Sequence, residues 1–131
     1  MIRGLGTDII EIVRVGEMLE KHGEQFLARV FTDGEVGYCG EKANYLQHYA
    51  GRWAAKEAVM KALGTGWAQG VSFADIEVQT LSSGQPVMQL HRVARTKASE
   101  LGIGEVLITI SHCRAYATAT AIAMAAVGPI E

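Results

Sequence analysis

The chain has 131 residues, of which 49% are hydrophobic and 20% charged, and its formal net charge at pH 7 is −2. This length supports one hydrophobic core, so we expect a single domain over residues 1–131. The balanced charge, without a long basic run, argues against nucleic acid as a partner. No apolar segment reaches the roughly 20 residues of a membrane helix, so we expect no membrane partner.

Two further features indicate the compartment. The two cysteines, Cys39 and Cys113, lack C-x-x-C spacing and are too few for a disulfide framework, which fits a reducing environment. Asp8 stands where a secretory signal would continue its apolar stretch, so we expect no export signal. The sequence therefore predicts a soluble, cytoplasmic protein.

The first third of the chain predicts a strand and then helices. Residues 2–10 are β-prone and contain two glycines, which permit close backbone approach. Apolar residues at helical spacing predict one amphipathic surface helix over Val13 to Leu27. Thr32 and Glu35 stand in capping-box register, which predicts a second helix starting there.

The central segment, residues 49–66, places several charged side chains in an otherwise apolar helix. It is rich in strong helix formers and ends at Gly64, a natural position for a left-handed cap. At 100° per residue this helix is apolar nearly all round, which is typical of a buried helix. Because burial of a charge without a partner or a bound ion is costly, its charged residues are site candidates: Arg52, Lys56, Glu57 and Lys61.

The second half of the chain predicts a hairpin, a helix and two more strands. The predicted elements are strands at 75–81 and 87–90 joined by a turn, a helix at 91–101 closed by Gly102, and strands at 106–111 and 116–127. We see no repeat, linker or low-complexity region before the short tail.

Spacing alone leaves the roles of the polar residues open. Glu57 and Lys61 form an i, i+4 pair of a kind that is usually structural, worth about 0.2–0.5 kcal/mol on an exposed face. Asp8 is either a turn residue or a ligand. The glycines around Thr65 are either a helix cap or a loop whose N–H groups lie against a phosphate. His112 is either structural or a group that binds phosphate or transfers a proton.

Four motifs in one order resemble a known family. They are Gly4-Leu5-Gly6-Thr7-Asp8-Ile9-Ile10-Glu11-Ile12, then Arg29-Val30-Phe31-Thr32 with Glu35, then Gly51-Arg52-Trp53-Ala54-Ala55-Lys56-Glu57-Ala58 through Lys61-Ala62-Leu63-Gly64-Thr65-Gly66, and Ile110-Ser111-His112. Together they resemble the bacterial holo-acyl-carrier-protein synthases, the small trimeric class of 4′-phosphopantetheinyl transferases. The resemblance implies an α+β fold, the 4′-phosphopantetheinyl transferase fold, with a distorted antiparallel sheet packed on a long central helix. It also implies a homotrimer with active sites between neighbouring subunits.

The reaction that the resemblance implies moves the phosphopantetheine arm of coenzyme A onto a serine hydroxyl of apo acyl carrier protein, in fatty acid biosynthesis. Adenosine 3′,5′-bisphosphate leaves, and Mg²⁺ is the cofactor. Asp8 and Glu57 would hold Mg²⁺, which takes one or two carboxylates plus phosphate oxygens and water. Lys61 would place a charge near the same phosphate and complete the catalytic set. The general base stays open among a metal-bound water, Glu35 and His112.

The same resemblance implies two contact sets. Coenzyme A should contact Arg52, Lys61, Gly64, Thr65, Gly66 and His112. Where the family often has paired basic residues for the adenosine 3′-phosphate, this chain has Lys42-Ala43-Asn44, which leaves Lys42, with His48, for that contact. Acyl carrier protein is strongly acidic, so its docking surface should be basic with apolar anchors. The predicted docking residues are Arg14, Met18, Lys21, Phe26 and Arg29.

Two other functions remain open from the sequence. A coenzyme A or nucleotide-binding module would keep the fold without the transfer, although the presence of Asp8, Glu57 and Lys61 argues against it. A metal-dependent phosphohydrolase would use the same carboxylates to activate water on a pyrophosphate. Hydrolysis would release phosphopantetheine without a carrier protein, whereas transfer depends on the acceptor.

Overall fold

The structure is a computed structural model, which describes residues 1–65 and 70–128. Its elements in chain order are β1 (Ile2–Glu11), α1 (Ile12–His22), α2 (Glu24–Val30), α3 (Asp33–Gly40), α4 (Tyr45–Leu63), β2 (Ile76–Thr80), β3 (Pro86–Leu90), α5 (Arg92–Glu100), β4 (Ile103–His112) and β5 (Tyr116–Ala125). A 3-10 turn, Phe73–Asp75, precedes β2. Over these residues, no helix combines the length and the apolar character that crossing a bilayer requires.

The predicted first helix is two helices. Gly23 ends α1 with φ 53° and ψ −129°, outside the helical region, and α2 begins at the next residue. The prediction of one helix over Val13 to Leu27 is wrong because a glycine inside an amphipathic pattern is compatible with both continuation and a stop. After this break, Phe26 lies in the core at 3% exposure.

The two predicted helix ends around α3 and α4 are confirmed. Thr32 Oγ1 accepts a hydrogen bond from Glu35 N, and Thr32 N donates to Glu35 Oε1, which is the complete capping box. Gly64 has φ 70° and caps α4 in the left-handed conformation. Both ends therefore follow from residues that are close together in the sequence.

Two antiparallel sheets surround α4. The larger sheet has the strand order β1-β5-β4, and the smaller one is the β2-β3 hairpin. Register shifts interrupt the larger sheet near both its edges, between Ile2 and Gly4 and between Ile103 and Glu105. The buried helix α4 packs on one face of this sheet. This arrangement confirms the predicted α+β fold, with a distorted antiparallel sheet on a long central helix.

Small residues bring α4 unusually close to the sheet. A Cβ atom at Gly6 would lie 1.9 Å from the carbonyl oxygen of Ala58, and one at Gly4 would lie 2.0 Å from that of Ala62. The facing strand β5 presents a row of buried alanines: Ala117, Ala119, Ala121 and Ala123. Side chains alternate along a strand, so Asp8 follows Gly4 and Gly6 on the same face. The glycines thus place the Asp8 carboxylate directly against α4.

Candidate active site

Asp8 and Glu57 face each other between β1 and α4. Burial, then a hydrogen bond to Asp8, then the charge of Asp8 raise the pKa of Glu57 to about 7. The positive charges of Arg14 and Lys61 oppose this rise. Lys61 Nζ donates to Asp8 Oδ1 at 3.0 Å and to the carbonyl oxygen of Thr7 at 2.9 Å. The three predicted catalytic residues, Asp8, Glu57 and Lys61, therefore lie together.

When Glu57 is ionised, one oxygen of this carboxylate pair has no donor among the described residues. Asp8 Oδ2 is buried and lacks a hydrogen-bond partner among residues 1–65 and 70–128. An unsatisfied buried polar atom costs about 1–3 kcal/mol, and two facing carboxylates also repel each other. A divalent cation would offset both costs. Its remaining positions would go to substrate phosphates and water, because no larger cluster of metal-ligating side chains occurs in the described residues. The pair therefore fits Mg²⁺.

Lys61 pairs with Asp8 and not with Glu57. Its side chain is 58% exposed, and among the described residues its ion pair is with Asp8. The alternative of an ordinary i, i+4 pair between Glu57 and Lys61 is therefore wrong. An ammonium group that is anchored beside carboxylates and still reaches solvent is well placed to contact a substrate phosphate.

A second group of predicted residues also meets, and we call it the basic cluster: Lys42, His48, Arg52 and His112. Burial lowers the pKa of His48, and the positive charges of Arg52, Lys42 and His112 lower it further. Arg52 is only 8% exposed. In the described part of the chain, none of the four forms an ion pair with an acid. The basic cluster therefore carries positive charge that the protein leaves unneutralised.

Helix geometry separates the basic cluster from the carboxylate pair. Arg52 and Glu57 are five residues apart on α4, which corresponds to about 140° around the helix axis. His48, one turn before Arg52, shares the face of Arg52, and Lys61, one turn after Glu57, shares the face of Glu57. The two groups thus lie on different faces of one helix.

The predicted phosphate loop is described only as far as Thr65. Gly64 is the helix cap, and Thr65 N donates to the carbonyl oxygen of Met60 at 3.2 Å. Thr65 Oγ1 is buried and has no hydrogen-bond partner among the described residues. The predicted contact at Gly66 lies outside the described residues. Because no described residue satisfies the Thr65 hydroxyl, it is a candidate for a ligand contact at the end of α4.

Glu35, one of the candidates for the general base, is a structural residue. It is 1% exposed and forms an ion pair with the fully buried Lys56. Its Oε1 accepts a hydrogen bond from Thr32 N and its Oε2 accepts one from Val78 N, at 2.8 and 2.7 Å. Lys56 Nζ donates to two backbone carbonyls as well. A carboxylate enclosed in this way cannot reach a substrate hydroxyl, so this candidate is wrong.

Three of the predicted docking residues form one stripe on α1. Arg14, Met18 and Lys21 lie within about 60° around the helix axis, and Glu20 faces elsewhere. Arg14 and Lys21 are exposed, and Met18 is half-buried. The Arg14 guanidinium lies 5.0 Å from the centre of the Trp53 ring, one helical turn from Glu57. The stripe therefore leads toward the carboxylate pair.

The other two predicted docking residues lie on α2. Arg29 is exposed, as a docking residue should be. Phe26 is buried, with ring centroids 5.9 Å from Phe31 and 5.3 Å from Trp53. The prediction of Phe26 as an exposed anchor is wrong, because the chain break at Gly23 leaves its ring in the core.

This chain is similar to known proteins in both sequence and structure. The family model described as the 4′-phosphopantetheinyl transferase superfamily matches residues 4–121. The chain is 43% identical over 122 residues to a holo-[acyl-carrier-protein] synthase of Solibacter usitatus, covering 93% of this chain and 98% of that protein. The crystal structure of holo-[acyl-carrier-protein] synthase from Neisseria meningitidis is similar, with a TM-score of 0.85, 33% identity and coverage of 95% and 99%. The holo-(acyl-carrier-protein) synthase of Bacillus anthracis in complex with CoA (3′,5′-ADP) has a TM-score of 0.78, 34% identity and coverage of 96% and 99%.

Proposed function

This chain belongs to the holo-[acyl-carrier-protein] synthase family of 4′-phosphopantetheinyl transferases, and we propose that it modifies an apo acyl carrier protein in a Mg²⁺-dependent reaction. The 4′-phosphopantetheine arm of coenzyme A goes to a serine hydroxyl, and adenosine 3′,5′-bisphosphate leaves. The product serves fatty acid biosynthesis in the cytoplasm. The observation that carries the proposal is the pair of Asp8 and Glu57, in which one buried oxygen has no donor among the described residues.

The residues on the face of α4 that carries Glu57 and Lys61 have different chemical roles. Asp8 and Glu57 would hold Mg²⁺. When bound, the ion supplies positive charge to the oxygens of the pyrophosphate. Lys61 stabilises the same phosphate or its leaving oxygen, since electrostatic positioning dominates phosphoryl transfer. Thr65 Oγ1 donates a hydrogen bond to coenzyme A. Glu35 is enclosed, and His112 of the same chain lies in the basic cluster on another face of α4, so a water remains to accept the serine proton.

We also propose that each active site forms between two subunits of a homotrimer. Coenzyme A carries a pyrophosphate and a ribose 3′-phosphate, whereas the carboxylate pair and the basic cluster lie on different faces of α4. Two neighbouring chains would supply the two groups to one coenzyme A molecule. The outer face of the larger sheet supports this assembly, because Leu5, Ile122 and Leu107 are in register across its three strands and Leu5 is 67% exposed. An exposed apolar row of this kind favours contact with another chain.

The stripe on α1 is the proposed docking surface for the acidic carrier protein. Lys21→Glu is expected to raise the KM for the carrier protein by about threefold to tenfold, since it reverses one charge facing an acidic partner. The KM for coenzyme A should stay unchanged. Arg95→Glu, which alters an exposed basic residue on α5, is the matched control. Equal increases in both variants would indicate general charge repulsion and contradict this docking surface.

The reaction is tested by the intact mass of an apo acyl carrier protein. The carrier is incubated with this protein and coenzyme A, with Mg²⁺ and in a parallel sample that lacks only the metal. We expect a gain of one phosphopantetheine arm in the first sample alone. Phosphopantetheine released without any carrier would instead indicate the phosphohydrolase. No gain with several well-folded carrier proteins would favour the binding module.

A further inference from the structure

Tyr38 on α3 lies at the centre of the basic cluster. Lys42 Nζ and Arg52 Cζ each lie 4.6 Å from the centre of its ring. The His48 ring meets the Tyr38 ring edge to face, with the centroids 5.7 Å apart and an interplanar angle of 77°. One aromatic ring therefore contacts three basic side chains, two of them in cation–π geometry.

Thr80 at the end of β2 contacts the Arg52 guanidinium from another direction. Its Oγ1 accepts a hydrogen bond from Arg52 Nη2 at 2.9 Å. Arg52 Nη1 lies 3.4 Å from His48 Nδ1. An arginine side chain loses much rotamer freedom when it is fixed, and these contacts fix it before any ligand arrives.

The basic cluster has the charge and burial of an anion site. Arg52 is almost fully buried, yet among the described residues no acid pairs with it or with its cationic neighbours. Burying a charge without a counter-ion is costly, and gathering like charges adds to the cost. Both costs are offset when a dianion binds. The contacts to Tyr38 and Thr80 keep the cations together in its absence.

This inference rests on the proposed function, because coenzyme A then supplies the anion. Its pyrophosphate is assigned to the carboxylate pair, so the phosphate that remains is the monoester at the ribose 3′ position. We propose that Tyr38 and Thr80 are positioning residues that hold the basic cluster around the 3′-phosphate of coenzyme A. They thereby set the preference for coenzyme A over 3′-dephospho-coenzyme A. Where the chain has Lys42 without a basic neighbour, the Tyr38 ring gathers His48 and Arg52 from α4 in compensation.

The kinetic test compares the two donors. Tyr38→Leu removes the ring, and we expect the KM for coenzyme A to rise about tenfold, with kcat unchanged. The KM for 3′-dephospho-coenzyme A should stay within about twofold, because that donor lacks the group that the cluster holds. Tyr38→Phe keeps the ring face and should restore the wild-type KM. Thr80→Val should raise the KM for coenzyme A alone, and Thr80→Ser, which keeps the hydroxyl, should not.

An equilibrium measurement separates this inference from the proposed function. Calorimetry without carrier protein would compare adenosine 3′,5′-bisphosphate with adenosine 5′-monophosphate. We expect Tyr38→Leu and Thr80→Val to weaken binding of the bisphosphate only. That result would support the inference even if the wild type transferred nothing. Equal weakening for both nucleotides, or no weakening in either folded variant, would overturn the inference and leave the transferase activity standing. If Tyr38→Leu does not fold, the same binding measurement on Thr80→Val tests the inference.

Discussion

Replacing Glu57 with glutamine is expected to lower kcat/KM for phosphopantetheine transfer by at least about 10³-fold and to leave the fold intact. The substitution removes a ligand charge but little volume. Its amide N–H₂ can also donate to the buried Asp8 Oδ2, so the folded chain loses no packing and gains a donor. The measurement is the time course of the carrier protein's mass gain at saturating Mg²⁺. Full activity would contradict the assignment of Glu57 to the metal.

The stability of the same variant provides a second readout without turnover. The pKa of Glu57 is about 7 in the folded chain against an ordinary value of 4.5, so between these pH values the folded wild type binds more protons than the unfolded chain. The contribution of Glu57 to the free energy of unfolding therefore falls as pH rises from 4.5 to 7. Because glutamine does not titrate, the metal-free variant should have a higher Tm than the wild type at pH 8, and a smaller advantage at pH 6.

The effect of Mg²⁺ on Tm and a matched control variant complete this experiment. At pH 8, Mg²⁺ is expected to raise the Tm of the wild type and not that of Glu57→Gln, since binding to the folded state stabilises it by mass action. Glu20→Gln changes an exposed glutamate of α1 that faces away from the docking stripe, so it should match the wild type in activity and in its response to Mg²⁺. A variant that still responded to Mg²⁺ would show that the ion binds elsewhere.

Mixing two defective variants is expected to recover transfer that neither shows alone. Glu57→Gln lacks the carboxylate side of the site, and Arg52→Gln lacks a principal cation of the basic cluster. If each site takes one side from each of two neighbouring subunits, random co-assembly at a 1:1 ratio leaves about a quarter of the sites intact. The measurement is the initial rate at low coenzyme A concentration after the two chains are co-expressed.

The control mixture uses two variants with defects on the same side. Asp8→Asn and Glu57→Gln both alter the carboxylate pair, which a single chain supplies, so their mixture should recover nothing. If the first mixture also stays at the average rate of its parents, both groups act within one chain. That outcome would refute the shared site while leaving the transfer reaction itself untouched.

Much of the fold could be predicted because its signals are local. The capping box of Thr32 and Glu35 and the cap at Gly64 involve residues within one turn of each other. The glycines of β1 predicted close approach, and the structure shows the partner at Ala58 and Ala62. The break at Gly23 could not be predicted, since tertiary packing decides whether a helix continues through one glycine.

The pairing of charges could not be predicted, because the paired residues are far apart in the sequence. Lys61 bonds to Asp8, 53 positions away, although Glu57 stands one turn before it in the sequence. Lys56 was a site candidate, but it is enclosed with Glu35, and no spacing rule links two such residues. Tyr38 gave no signal of its own. The i, i+4 spacing of His48 and Arg52 was the available sign that two cations share a face.

The position of β1 in the sheet determines when the site can form during synthesis. In the described part of the chain, the backbone of β1 pairs only with β5. Thr7 Oγ1, next to Asp8 in the sequence, donates to Ala119 O at 3.1 Å across 112 positions of sequence. Pairing at this separation is slow and requires the last strand to have left the ribosome. In a nascent chain, the Asp8 carboxylate is therefore not yet held in position by β5. The enzyme should remain inactive until translation has passed β5.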